Sequence, residues 1–510
     1  MSTFIRNATI LTLDGPDGTE PFVGSILIED DAIAAIGPDL VPPADAKIIE
    51  GRGRLVMPGL VNSHFHSAEI FFKGRYEHMP LEIWMLYAYP ILTNGRIPER
   101  LLYLRTMLGA MESLKGGVTT MVDDFFDPPT QDLVRHGVVF DAYEHSGIRA
   151  RISNNVMDKH VLDTMPFLRE LVPAELQAAI AGPAVTIANH EDYCKAAFSS
   201  LHGRAGRLSF MVSASAPQRV TVEFMQHCSE LAQRYDSPLH THILETKTQA
   251  VTGDEFYGKT LIRHMHDIGV LNRNVTIAHS VWVTDDDMAL MGAADVSIAH
   301  NCISNQKLMA GVAPVRRLID AGVNVGLGTD GMCSNDTARI FDVMRAAGLI
   351  HAVAAPDPSR LVSSREVLRA ATIVGARTAL LDKVTGSLKV GKKADLMVLK
   401  MSGANWTPLN DICHHLVYCE NGSSIETVMV GGEVVVQDGS LLTVDEEAIM
   451  EEVREVVPAW LAEHAKVEER NKVFEPYFAE MHRRATIRDI GINRYQGDLP
   501  LWQGQNRPPV

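Results

Sequence analysis

The chain has 510 residues, 46% hydrophobic and 22% charged, the balance of a globular protein with room for a large barrel and a second domain. Its 63 acidic and 47 basic residues leave a net charge of −16, which argues against general affinity for nucleic acid or anionic membranes. No apolar run reaches the roughly 18 residues a membrane helix needs. The start lacks a secretory signal's long apolar core, and six scattered cysteines form no Cys-x-x-Cys pair, so reduced thiols in a cytoplasmic protein are expected.

The first stretch, "FIRNATILTL" and then "GSILIEDDAIAAIG", alternates like short strands separated by Asp and Gly turns. The same texture returns at 386–400 and 424–439. This predicts a small composite β domain from 1–57 and 385–442. The middle, 58–384, alternates strands and helices. Apolar strand candidates fall at 55–64, 118–123, 149–154, 208–215, 238–244, 275–279, 296–300 and 323–329, with helical patterns between most of them, such as 99–117 and 221–235. Eight such strands fit a (β/α)8 barrel, giving an α/β protein with a barrel and a small β domain. The connection 155–207 has no clear pattern. Residues 443–510 read as a charged helical extension ending in a Pro-, Gly- and Gln-rich extended arm.

Chemistry-bearing residues gather at the ends of these strands. The first reads "PGLVNSHFHSAE" (58–69), with His64 and His66 on one strand face. The fifth ends in His240, His242 and then Glu245, the sixth in His279, the eighth in Asp330. Barrel chemistry sits at the C-terminal ends of strands, and these nitrogen and oxygen donors suit Zn(II) or Fe(II). A single strand-end histidine is ordinarily a capping or packing residue; the ordered set points to a metal. Local geometry alone admits either His240 or His242, and Asp330 could also be a helix N-cap.

The motifs "PGLVNSHFH", "HTHILET", "VTIAHS", "SNQKLMAGVAPV" (304–315), "VNVGLGTDG" and "GKKADLMVL" resemble the amidohydrolase superfamily, in particular its branch of s-triazine hydrolases and cytosine, guanine and adenosine-derivative deaminases. The resemblance runs to about residue 440. It implies a distorted barrel with a small β-sandwich, with His64, His66, His242 and Asp330 as metal ligands. Glu245 would shuttle protons, His279 would lie beside the reactive water and substrate, and Asp330 would double as base. Strand four, "LSFMVSASAP", lacks the bridging lysine of binuclear members, so one divalent metal per subunit is expected, Zn(II) first and Fe(II) as the alternative.

Many deaminases of the branch carry His-Ala-Pro after strand four; this chain has Ser215-Ala216-Pro217, nearer the triazine-hydrolase pattern. Ser215, Asn305 and Lys307 are candidate substrate contacts, the latter two balanced against a turn and a solvated lysine. Asp123 and Asp124 are orienting or turn residues. The 81–92 stretch is a buried helix or the wall for a flat substrate, and "CHHLVYC" (413–419) is structural. The expected function is a hydrolase replacing an amino or alkylamino substituent of a small N-heterocycle by water. The alternatives are hydrolytic dehalogenation of a triazine-like ring, amide or urea hydrolysis, and a non-catalytic scaffold. A homo-oligomer with no nucleic-acid or membrane partner is expected.

Overall fold

The computed structural model describes residues 2–88, 92, 96–127, 131–180, 182–183, 185–353 and 357–495. The end of the 81–92 stretch and the arm beyond Tyr495 lie outside the described residues. The eight barrel strands are Leu60–His66, Val118–Asp123, Arg149–Ile152, Leu208–Phe210 continued by Val212–Ser213, Leu239–Ile243, Val275–His279, Ser297–His300, and Asn324–Leu327 continued by Asp330–Gly331. All pair in parallel with their neighbours. Both faces of such a sheet are covered, which is why the strands read as continuous apolar runs.

The strands form two five-stranded arcs. The arcs meet where strand four is interrupted at Met211 and strand eight at Gly328–Thr329, so the eight strands run round a distorted ring. Asn62 clamps the second seam: its Oδ1 accepts from the Thr329 N–H at 3.0 Å and its Nδ2 donates to Thr329 Oγ1 at 2.7 Å. The sequence suggests one strand over 55–64. The structure instead divides it at Gly59, between Arg54–Pro58 in the composite sheet and Leu60–His66 in the barrel. A Cβ at Gly59 would lie 2.1 Å from the Thr119 side chain, so only glycine lets the chain pass strand two here.

Strands from both ends of the chain build a single nine-stranded sheet, in which Arg54–Pro58 pairs with Ser2–Ile10 on one side and Leu396–Lys400 on the other. A buried bidentate pair ties this sheet to the barrel. Arg149, at the start of strand three, donates to Asp395 through Nε at 2.6 Å and a terminal nitrogen at 3.0 Å. Asp395 Oδ1 also accepts from the Gly431 N–H at 2.7 Å.

The unpatterned connection 155–207 contains short helical turns followed by a crossover helix, Ile187–Ser200. Thr186 and Asn189 form its capping box. The C-terminal extension is a long helix, Glu446–Asn471, capped by Asp445, and a shorter one, Glu475–Ile487. With helix Leu81–Tyr87 and the turns after strand three it encloses a second hydrophobic cluster around Trp84, Leu86, Leu162, Leu168, Phe474 and Phe478. No helix among the described residues is long and apolar enough to cross a membrane.

Candidate metal centre

Strand alternation aims His64 and His66 inward from strand one, and His240 and His242 inward from strand five. The backbone then turns sharply at the rim. Leu244 (φ 56°), His279 (φ 77°) and Asp330 (φ 65°) all adopt the left-handed region, which costs roughly 1 kcal/mol or more each for residues other than glycine. Donor atoms of His64, His66 and His242 lie within 4.8 Å of one another, as do those of His64, His279 and Asp330. All five residues are buried.

The outer nitrogens of the three strand-one and strand-five imidazoles are engaged. His66 Nδ1 donates to the Asp124 carbonyl at 2.7 Å, and His242 Nδ1 to the Ser215 carbonyl at 3.0 Å. A neutral imidazole has one N–H, so both Nε2 atoms then present bare lone pairs, and they face each other at 3.3 Å. His64 Nδ1 lies 2.8 Å from His240 Nε2, which turns His64 Nε2 toward Asp330 Oδ1 at 3.3 Å. Asp330 Oδ1 is also 3.5 Å from His66 Nε2, while Oδ2 accepts from Ser304 Oγ at 2.5 Å. Converging lone pairs and one carboxylate fit a divalent cation.

The carboxylates divide electrostatically. Burial opposes ionisation of Asp330, yet His64, His279 and His66 outweigh it and hold its carboxyl well below the usual range. Burial, reinforced by the Asp330 charge, drives Glu245 well above that range. Burial likewise pushes Glu69 up to about 8. Burial and neighbouring imidazoles depress His242. Burial also opposes charge on His66, but Asp330, Glu69 and Asp124 raise it to about 9, so its Nε2 holds a proton beside Asp330 that a bound cation would displace to free the lone pair. His279 Nδ1 donates to Asn305 Oδ1 at 2.8 Å, leaving Nε2 between Glu245 Oε2 at 3.7 Å and Asp330 Oδ2 at 3.9 Å.

These groups open into a cavity lined also by Glu69, Trp84, Met85, Asn155, Ser215 and Arg219. Ser215 lines the cavity as the sequence suggests, and Arg219 donates to its hydroxyl at 3.1 Å. Asn305 and Lys307 do not line it. Asn305 is spent on His279. The Lys307 ammonium is paired with Asp336 and donates to the Cys333 carbonyl at 3.0 Å.

Asp124 orients His66 through its carbonyl, and its carboxylate accepts from Ser153 at 2.5 Å and Asn155 at 2.6 Å. Asp123 accepts from the Ser67 N–H and hydroxyl and from Tyr143. Arg219 had no motif to mark it, and Glu69 stood out only as the carboxylate closing the 58–69 stretch, three residues after His66. Gly331 makes room for Glu69, since a Cβ there would lie 1.6 Å from its carboxylate.

A (β/α)8 barrel with imidazoles and a carboxylate converging at the strand ends defines a metal-dependent hydrolase. The amidohydrolase family model matches residues 55–435. The 5'-deoxyadenosine deaminase of Methanosarcina acetivorans is 34% identical over 454 residues, 88% of this chain and 96% of that protein. The 5-methylthioadenosine/S-adenosylhomocysteine deaminase of Pelotomaculum thermopropionicum is 33% identical over 460 residues, again 88% and 96%. Among solved structures, the zinc complex of atrazine chlorohydrolase TrzN from Arthrobacter aurescens TC1 aligns with a TM-score of 0.81 at 25% identity, covering 89% of this chain and 100% of that one. A zinc-bound adenosine deaminase from Xanthomonas campestris shares the fold, with a TM-score of 0.73 at 23% identity over 92% and 98% of the two chains. The chain belongs to the amidohydrolase family. It is a hydrolase of carbon–nitrogen bonds other than peptide bonds, of the deaminase type.

Proposed function

We propose that this protein is a zinc-dependent aminohydrolase that replaces the exocyclic amine of an adenosine derivative by water. One observation carries the reading: donor atoms of His64, His66 and His242 converge, as do those of His64, His279 and Asp330, and all of these but His64 line one cavity with Glu245. The identity to 5'-deoxyadenosine deaminase supports the substrate class. His64, His66, His242 and Asp330 would hold a single ion, Zn(II) first and Fe(II) as the alternative. The end of strand four, Val212–Ser213, offers no lysine to bridge a second. When bound, such an ion lowers the pKa of water from ~16 toward ~7 and so supplies hydroxide at neutral pH.

The chain's own residues divide the proton work. Asp330, held ionised, accepts the proton of the attacking water. Glu245, held protonated by burial, donates to the ring nitrogen next to the carbon under attack; the proton taken up by Asp330 then passes to the amine, which leaves as ammonia, and the hydroxyl proton of the intermediate returns to Glu245. His279, fixed by Asn305, holds the oxygen of the addition intermediate between Glu245 and Asp330. Trp84, Leu81 and Met85 form the apolar wall against a flat ring.

A second reading, displacement of a substituent from a triazine-like ring, is favoured by the likeness to atrazine chlorohydrolase and by Ser215 at the cavity. Free, mostly buried cysteines support a cytoplasmic location, and exposed Phe22, Val23 and Ile48 on the composite sheet support a homo-oligomer. We also take 1–57 with 385–442, 58–384 and 443–510 as the three structural units.

The test is metal analysis together with release of ammonia, amine and chloride from 5'-deoxyadenosine, aminopyrimidine and triazine substrates. The expected result is about one zinc per chain and ammonia from 5'-deoxyadenosine. Glu245→Gln should keep the zinc and lose turnover. Metal-free protein after careful purification would favour a scaffold, and chloride release alone would select the second reading.

A further inference from the structure

The matched family region ends at residue 435, so the helices Glu446–Asn471 and Glu475–Ile487 lie beyond it. Three residues of the long helix are buried, Val457, His464 and Asn471, spaced two turns apart on one face. Two of the three are polar, which a helix merely packing on a surface does not need. Both are spent on one target. His464 Nε2 donates to the Tyr87 carbonyl at 2.8 Å, and Asn471 Nδ2 to the Leu86 carbonyl at 2.7 Å. Those carbonyls end helix Leu81–Tyr87 and have no partner inside it. The same helix presents Leu81, Trp84 and Met85 to the metal cavity.

The shorter helix engages the opposite side of that wall. His482 Nδ1 lies 3.5 Å from Oε2 of Glu82, a buried carboxylate on the wall helix. Glu82 Oε1 accepts from Thr246 Oγ1 at 2.6 Å, and Thr246 follows Glu245 directly. The neighbouring Lys247 donates to the Thr486 carbonyl at 2.6 Å. Tyr87 is also bonded to Glu475.

We infer that the C-terminal helical pair completes the substrate cavity of its own chain, with His464, Asn471 and His482 as positioning residues that fix the wall helix and the Glu245–Thr246 turn and thereby set which heterocycle fits. The inference deepens the proposed aminohydrolase reading and rests on it for the substrate. The apolar wall is then held at a defined distance from the metal ligands by hydrogen bonds to its last carbonyls, and selectivity belongs partly to a segment outside the barrel.

The test uses the full-length zinc enzyme. His464→Ala is expected to raise KM for 5'-deoxyadenosine about fivefold, the effect of one net hydrogen bond, His482→Ala, which removes a charge contact at 3.5 Å, to raise it by less, and both to shift the kcat/KM ratio between 5'-deoxyadenosine and adenine. Zinc content should stay unchanged. His464→Gln, which keeps a donor, should restore most of both. Amide exchange over residues 81–88 should accelerate in Asn471→Ala. Should His464→Ala fail to fold, His482→Ala at its partly exposed site carries the test. Folded variants with lower Tm but wild-type KM, substrate ratio and exchange at 81–88 would overturn the inference. If the unmodified enzyme deaminates neither compound, the functional reading fails, and exchange at 81–88 still decides whether the extension holds the wall.

Discussion

Two buried charge clusters sit at opposite ends of the barrel strands. At the N-terminal end of strand three, Arg149 and Asp395 meet fork to fork, and the Gly431 N–H adds a further donor to the carboxylate. At the C-terminal rim, imidazole Nε2 atoms face one another at 3.3 Å, and Asp330 and Glu245 are driven to opposite protonation states. The first cluster satisfies itself and can only hold the sheet to the barrel. The second is complete only with a cation, and it sits on left-handed backbone at Leu244, His279 and Asp330. Burying charge for stability requires partners within the chain; burying it for chemistry leaves donors converging on a ligand.

Breaking each cluster should give different signatures. Asp395→Ala leaves the Arg149 guanidinium buried alone and should cost about 3–5 kcal/mol of stability, read as a lowered denaturation midpoint, with KM unchanged in the folded fraction. A KM change would mean the two ends are coupled. Glu245→Gln should do the reverse: stability near wild type and kcat down by roughly 10²–10⁴, the range for a general acid, measured by steady-state kinetics. Zinc at about a hundredfold excess over its Kd should add about 2.7 kcal/mol to the stripped protein. Calorimetry with and without metal checks this, and an unchanged Tm would contradict the cation site. His240→Phe removes the imidazole that orients His64 and should weaken zinc binding by about 10–100-fold, read by competition with a chelating dye. Lys307→Met, outside the cavity lining, should change kcat/KM by less than about twofold while the lost pair with Asp336 and bond to the Cys333 carbonyl cost about 1 kcal/mol of stability.

Much of the rim was legible because strand periodicity is strict. His64 and His66 share a face whatever surrounds them, whereas the break at Gly59 inside the expected 55–64 strand shows only in the close approach to Thr119. The barrel followed from apolar runs at 118–123 and 275–279, which match the observed strands residue for residue. Less legible were roles that depend on partners far along the chain. In the sequence His240 is only the alternative to His242 as a ligand, yet its ring lies 2.8 Å from His64 across 176 residues of sequence. Asn305 reads as a turn or a substrate contact and is committed to His279. The 155–207 connection looked patternless because its short turns pack against the C-terminal helices rather than forming one long amphipathic face of their own.

The sequence by itself determined the family, the parallel α/β architecture and which residues stand as candidate donors, because side-chain periodicity and turn chemistry are local properties. Tertiary structure alone decided which nitrogen of each imidazole faces inward, which carboxyl keeps its proton, and that a C-terminal helix ends on the wall of the cavity. Those outcomes arise from burial and hydrogen bonds between segments hundreds of residues apart, and no local pattern encodes them.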